Sequence, residues 1–519
     1  MTKQLLPPYL RADTIVTSQK NHIVIEVSLN KLAPTIKNLL AHTLTFKMFD
    51  ASQENENSTL WYVFGDLQRH LFIIVKVTLG SAMEFDTITD IVPAAQKYED
   101  KVYESFGLLP LGRDVPRSLV LHENWPENIH PLSKSFDWNR RPKIANGVYE
   151  FKKIGGEGIY EIPVGPIHAG IIEPGHFRFS VAGEEIVNLE PRLGYTHKGS
   201  EKLFEQLALP DQVRLSEKIS GDTSYGHSLA YCQAVEYIAD IEVSEEVATG
   251  RVLLAELERL ANHFNDIGAI MLDAGFNFGG TQGARLREAV MRINDALTGS
   301  RFLRGMNVVG GLNLTLTPIK SRELLAELHK LKRDFQQVIS VAENTVTLLN
   351  RIKGTGVVPN DAAEYFEIVG VTARASGKAI DSRLDFPYAA YAQFANTTIP
   401  TENSGDVYAR FRVRIAESLQ SFAIIEKVLE TGISFEPQAS TNDVQLPKNS
   451  VSVGCVEGWR GEILYLVCTN SQGKIHRVAV RDPSFVNWQV VSETAFGEMV
   501  PDFPLINKSF NLSYSGHDL

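Results

Sequence analysis

Three cysteines, Cys232, Cys455 and Cys468, are scattered over 519 residues. That scarcity excludes a disulfide framework and a four-thiolate cluster held by this chain alone, and it fits a reducing, cytoplasmic compartment. Long apolar runs are missing as well. The most apolar stretch, HLFIIVKVTLG at 70–80, is interrupted by Lys76, well short of the roughly 18 uncharged apolar residues of a membrane helix. The start, MTKQLLPPYLRAD, lacks the basic region and apolar core of a signal peptide. Positive charge is also in deficit: a net charge of -11 disfavours the lysine and arginine surplus that nucleic-acid binding requires. No direct transmembrane span and no nucleic-acid partner are expected.

What is present is a globular composition, 44% apolar and 22% charged, in a chain too long for one ordinary core. In HIVIEVSLN, Ile23, Ile25, Val27 and Leu29 alternate with Val24, Glu26 and Ser28, which is strand periodicity. STLWYVFGDLQRHLFIIVKVTLG predicts a hairpin turning near Gly65-Asp66, and the Pro- and Asn-rich stretch from Leu121 to Gly147 reads as a wrapping arm. From about 150 the pattern becomes helical. Leu253, Leu257, Leu260, Phe264, Ile267 and Met271 form one stripe over 245–271. A second helix is predicted over 321–352 from an N-cap at Ser321, and a third over 406–430, closed by Gly432. ILYLVCTNSQGKIHRVAVRD returns to strand, turn and strand around Ser471-Gln472-Gly473. Ser220 and Thr223, beside Asp222, read locally as capping residues of a helix start. His227 and His263, on apolar helices, read as satisfied structural histidines.

Five segments then carry a family. GPIHAGIIEPGHFRF (165–179), PRLGYTHKGSEKL (191–203), ARASGKAIDSRLDFPYAAY (373–391), GDVYARFRVRIAES (405–418) and RDPSFVNWQ (481–489) occur in that order. With them, the region from 150 onward resembles the large subunit of group 4 membrane-bound nickel-iron hydrogenases of the formate hydrogenlyase type, and equally the 49-kDa subunit of respiratory complex I. VPAAQKYEDKVYESFGLLPLGRDVPRSLVLHENWPENIHPL, beginning at Val92, resembles the 30-kDa complex I subunit. The resemblance implies an α+β chain: a small N-terminal α/β domain over 1–135, a linker over 136–160, and a large, mainly α-helical domain with peripheral strands over 161–519.

The same resemblance places four nickel-iron thiolates at positions occupied here by Ser220, Thr223, Ser484 and Asn487. Neutral hydroxyls and an amide neither bind nor tune these metals as thiolate does. The expectation is therefore a chain with no nickel-iron centre and no bound cofactor of its own, and FGEMVPDFPLINKSFNL continues like the unprocessed complex I tail. The quinone tyrosine of complex I would fall on Gly221, leaving Tyr225 one helical turn later, and His168 and His176 are the imidazoles near the GP-x-H motif. Glu173, Asp273 and Arg460 match proton- or charge-relay positions of the family and form a polar axis, and His227 joins His168, His176 and Tyr225 as a quinone or cavity candidate. In the bland alternative Glu173 and Asp273 are simply paired with arginines of ARFRVR or SRLD.

These matches imply a core subunit of a membrane-peripheral oxidoreductase complex that couples electron transfer, from NADH or another donor to quinone or another acceptor, to ion translocation. Its partners would be a small, 20-kDa-like iron-sulfur subunit holding a 4Fe-4S cluster and membrane subunits of the proton-channel and antiporter kind. The alternatives are a non-catalytic scaffold and a quinone reductase subunit.

Overall fold

A computed structural model describes residues 7–10, 14–169, 172–395, 398–432, 434–437 and 444–519. The N-terminal region builds a five-stranded sheet from β1 (Ile15–Ser18), β2 (His22–Glu26), β3 (Thr45–Glu54), β4 (Asn57–Asp66) and β5 (Leu71–Gly80), in the order β1-β2-β5-β4-β3. β2 and β5 run parallel, with Ile23 opposite Ile73; β4 and β5 form the predicted antiparallel hairpin, and β3 adds a second one not predicted from the sequence. Helices α1 (Leu29–Ala41) and α2 (Gln96–Phe106) belong to the same region.

From 121 to 158 the chain runs without regular secondary structure, tied down by contacts such as Tyr149 Oη donating to Glu190 at 2.6 Å. The next segment is not helical. β6 (Ile159–Val164), β7 (His176–Ala182) and β8 (Glu185–Arg192) form an antiparallel sheet in which Phe177, Phe179 and Val181 alternate inward. This period of two wins because each strand is short and bounded by Gly or Pro.

The helical part contains α3 (Ser224–Ala239), α4 (Glu245–Asp273), α5 (Asn277–Thr298), α6 (Pro318–Glu343), α7 (Val346–Ile352) and α8 (Val407–Glu430). α4 starts on Ser244, whose hydroxyl accepts from Val247 N. It meets α5 at glycines: a Cβ on Gly268 would lie 2.9 Å from Gly283 Cα, so only glycine permits this approach. The predicted 321–352 helix is two helices. Thr317 caps the first through Lys320 N, with Pro318 at the favoured first position, and Ser321 sits inside it. The break falls at Asn344 and Thr345, whose side chains bond back to Ser340 O and Val341 O.

β9 (Val451–Glu457), β10 (Glu462–Thr469) and β11 (Ile475–Arg481) form a second antiparallel sheet, followed by α9 (Pro483–Ala495). Where β6–β8 are peripheral, this sheet is central. Val453, Leu464, Leu466 and Ala479 face the core of the N-terminal sheet, while Val456, Ile463, Tyr465 and Val467 face the helical core. The sheet thus joins the two regions, and its turn at 458–461 and the start of α9 frame the site.

Candidate functional site

Four chain segments converge: the loop 218–223 leading into α3, the turn Gly458–Gly461, the N-terminus of α9 and the stretch 511–519. The turn closes on itself, with Gly458 N donating to Gly461 O at 2.8 Å and Gly461 N to Gly458 O at 3.1 Å, and it projects Trp459 and Arg460. Arg460 grips both oxygens of Asp222 at 2.7 Å, the bidentate geometry that suits guanidinium best. Its Nη1 also donates to Ser220 Oγ (3.3 Å) and Thr223 Oγ1 (3.1 Å), and its Nε to the carbonyl of Asn511. The guanidinium stacks 3.9 Å above the Trp459 ring, whose Nε1 donates to Thr223 at 3.1 Å.

Ser220, Thr223, Ser484 and Asn487 are each 0–1% exposed. Ser220 and Thr223 do not cap α3, which has no side-chain cap bond at Thr223; both hydroxyls donate instead to Asp222 Oδ1 at 3.0 Å. The capping reading is thereby corrected: the hydroxyl oxygens that would accept from the helix instead accept from Arg460 and, at Thr223, from Trp459. Ser220 Oγ also reaches Ser513 Oγ at 2.9 Å, and Ser513 N donates to Ser484 Oγ at 2.9 Å, so one serine bridges the two positions. Asn487 clasps the Val369 peptide, accepting from its N–H and donating to its carbonyl, both at 3.0 Å. The adjoining Gly370 lies against the Arg460 backbone.

Electrostatics follow from this packing. Burial pushes the Asp222 carboxyl up, but the charge and hydrogen bonds of Arg460, helped by Ser220 and Thr223, overcome it and hold the group down at about 2. His227, fully buried, lies 3.0 Å from Asp482 Oδ2 and 3.0 Å from the Tyr465 hydroxyl. Asp482 in turn caps α9 through Ser484 N. Its carboxyl is pushed up by burial but brought below its ordinary range by His227 and Arg460.

Of the other sequence candidates, Glu173 joins this neighbourhood, its Oε2 accepting from the backbone N–H groups of Tyr514 and Ser515 at 3.1 Å each. It is held by backbone, not by an arginine. The arginines of ARFRVR and SRLD go elsewhere: Arg414 to Asp266, Arg412 to Glu343 and Glu402, and Arg383 to Asp381 and Glu256. His168 and His176 bond the carbonyls of Gly175 (2.7 Å) and Gly165 (3.3 Å), so both brace their own loop. Tyr225 does not project into the space near Gly221: it is fully buried and its hydroxyl reaches Arg251 O at 3.3 Å, because the helix turns that residue into the core. Asp273 is exposed at the C-terminal end of α4, about 17 Å along the helix axis from Asn262, which donates to the Asp222 carbonyl. Asp222, Ser513 and Glu258 were missed from sequence. Asp222 stands between two candidates and was legible; Ser513 lies 293 positions from Ser220, with no local signal.

The donor set does not fit a nickel-iron centre. Three hydroxyls and an amide are each engaged with protein groups, and the Arg460 guanidinium lies against Ser220 and Thr223, repelling a cation there. Among the described residues no group of three or more His, Cys, Asp or Glu side chains is placed to hold a metal ion. No described helix is long and apolar enough to cross a membrane.

Comparison with known proteins agrees with the architecture. Residues 25–142 match the family profile of the respiratory-chain NADH dehydrogenase 30 Kd subunit, and residues 273–434 and 433–518 that of the 49 Kd subunit. The chain is 32% identical over 461 residues to hydrogenase-4 component G of Escherichia coli (strain K12), covering 86% of this chain and 78% of that protein. It is 32% identical over 479 residues to formate hydrogenlyase subunit 5 of the same organism, covering 90% and 83%. Against the C/D protein of NADH-quinone oxidoreductase from Phocaeicola vulgatus it is 29% identical over 420 residues, covering 76% and 79%. With both halves matched in order and the relatives covered over most of their length, the chain belongs to the family of fused 30-kDa and 49-kDa complex I subunits and related hydrogenase subunits.

Proposed function

We propose that this chain is the core subunit of a membrane-associated oxidoreductase complex related to complex I and group 4 hydrogenases, coupling electron transfer to ion translocation without a nickel-iron centre of its own. Residues 1–135 serve as the 30-kDa-like domain, 136–160 as the linker and 161–519 as the cavity-bearing domain. A small iron-sulfur subunit with a 4Fe-4S cluster packs beside the node, and proton-channel and antiporter-like membrane subunits lie beyond it. The carrying observation is that three of the four ligand positions, Ser220, Thr223 and Ser484, are joined by hydrogen bonds to the Arg460–Asp222 pair, directly or through Ser513, while Asn487 is engaged with the Val369 peptide. Glu173 and Arg460 supply the inner part of a charge relay and Asp273 its outer part, with quinone as a candidate acceptor near His168 and His176. NADH is one candidate donor.

The test is to isolate the assembly by a tag on this chain and measure nickel, iron and quinone together. Iron without nickel, with an iron-sulfur partner present, supports the reading; stoichiometric nickel on this subunit sinks it. A non-catalytic scaffold is the second reading, favoured by the saturation of the node's hydrogen bonds. It requires a complex in which Asp273→Asn leaves ion movement untouched.

A further inference from the structure

Thr223 leaves the start of α3 without a side-chain cap, and the cap comes from a neighbouring helix. Glu258 of α4, buried with its residue 8% exposed, accepts from Tyr225 N (2.7 Å) and Gly226 N (2.9 Å). Among the described residues no Lys, Arg or His forms an ion pair with it. An uncompensated carboxyl at such a place is costly when ionised, yet two N–H donors at a helix start favour the anion. The balance leaves the group poised: burial, opposed by the two N–H bonds and by Arg259 and reinforced by the Asp222 charge, pushes its carboxyl up to about 8.

A simple cap would be sealed, but this one borders a pocket. Asp222, Glu258, Asn262, Arg287, Asn294 and Arg301 are among the residues lining a space of about 10 Å³, room for about a single water. Two lining residues keep buried polar atoms without a protein partner: Asn294 Oδ1, in a side chain 1% exposed, and Arg287 Nε. One unpartnered acceptor and one unpartnered donor on residues that line a polar pocket with two carboxylates match a water's bonding needs. The charges around Glu258 are thus Arg259 on its own helix, Asp222 in the loop before α3, Arg287 and Arg301 across the pocket, and Arg460 behind Asp222.

We propose that Glu258 is the proton-exchanging group of this site, taking up and releasing one proton through the pocket lined by Asn294 and Arg287, beside the fixed Asp222–Arg460 pair. Uptake converts its carboxylate to a carboxylic acid, a change of one proton and no electron; water in the pocket delivers the proton from bulk solvent and carries it back. The proposal deepens the charge-coupling reading by naming the group that responds to charge at the node.

Infrared difference spectra of the full chain, taken between about pH 6 and about pH 10, read the carboxylic C=O stretch. The expected result is a band lost with a midpoint near 8 and missing in Glu258→Gln. Its absence from the wild type, or its persistence in that variant, overturns the assignment. If Glu258→Gln does not fold, Asn294→Leu, which fills the pocket, serves instead: the band remains and its hydrogen–deuterium exchange slows severalfold, whereas an unchanged exchange rate overturns the pocket as the route. Neither readout needs electron transfer, so failure here leaves ion-coupling assays of the assembled complex unaffected, and failure there leaves Glu258 standing.

Discussion

The node around Arg460 and the seam between the N-terminal sheet and the β9–β11 sheet are both built from arginines and carboxylates, but they compensate charge differently. In the seam, Lys101 binds Asp50 (3.0 Å) and Glu201 (2.8 Å), and Arg477 binds the same two acids. Lys47 and Arg481 share Glu462 at 3.0 and 2.7 Å. Every one of those side chains is 10% exposed or less. Around Arg460 the ion pair with Asp222, whose side chain is 35% exposed, is trimmed by neutral hydroxyls, with His227 and Asp482 paired beside it. Charges sealed by charges fix how two bodies dock; one charge pair trimmed with hydroxyls at a rim leaves a neighbour such as Glu258 free to change protonation.

The sharpest way to break this contrast is Arg477→Met, which leaves Asp50 and Glu201 with Lys101 alone. Denaturant unfolding should show a loss of about 3–5 kcal/mol, as for a buried pair with one partner removed; a loss comparable to a surface substitution would erase the distinction. Next comes the pH dependence of stability. Glu258 has a folded value of about 8 against an ordinary 4.5, so between those values the folded chain binds more protons than the unfolded one. Its contribution is complete below 4.5 and lost as pH rises through 8, on the order of 5 kcal/mol. Unfolding midpoints measured across that window should therefore fall for the wild type, and the slope should flatten in Glu258→Gln. Arg460→Met should cost less than the seam variant, about 2 kcal/mol for unpaired hydroxyls and a half-open carboxylate. Asp273→Asn, at an exposed position, should change stability by no more than about 0.5 kcal/mol, while ion translocation by the assembled complex should be lost. Retained translocation would favour the scaffold reading.

Some of this was legible residue by residue. α4 showed its stripe because its apolar residues share one face while its other face, also buried, carries the charged and polar side chains Arg251, Glu256, Arg259, His263 and Asp266, and the β10–β11 turn was marked by Gly473, whose φ of +76° suits glycine. α3 gave no stripe, since almost all of its residues are buried, and β9 and β10, buried on both faces, lacked alternation for the same reason. The β6–β8 sheet was hidden by its short strands. The break after Glu343 was hidden because Asn344 and Thr345 are compatible with a helix until their side chains bond backward.

Residue identity and spacing are local facts, and they carry the α+β class, the family motifs and the presence of Ser220, Thr223, Ser484 and Asn487 where no cysteine stands. What those four side chains touch is set by the folded chain. Ser513 meets Ser220 across 293 positions and bonds Ser484 on its other side, Arg460 selects Asp222 over open solvent, and Tyr225 turns into the core. Glu258, an ordinary helix glutamate on paper, gains its character from the N–H groups of a helix beside it and from the pocket at its back. Hydrogen-bond geometry and burial are properties of neighbours in space, and no spacing along the chain encodes them.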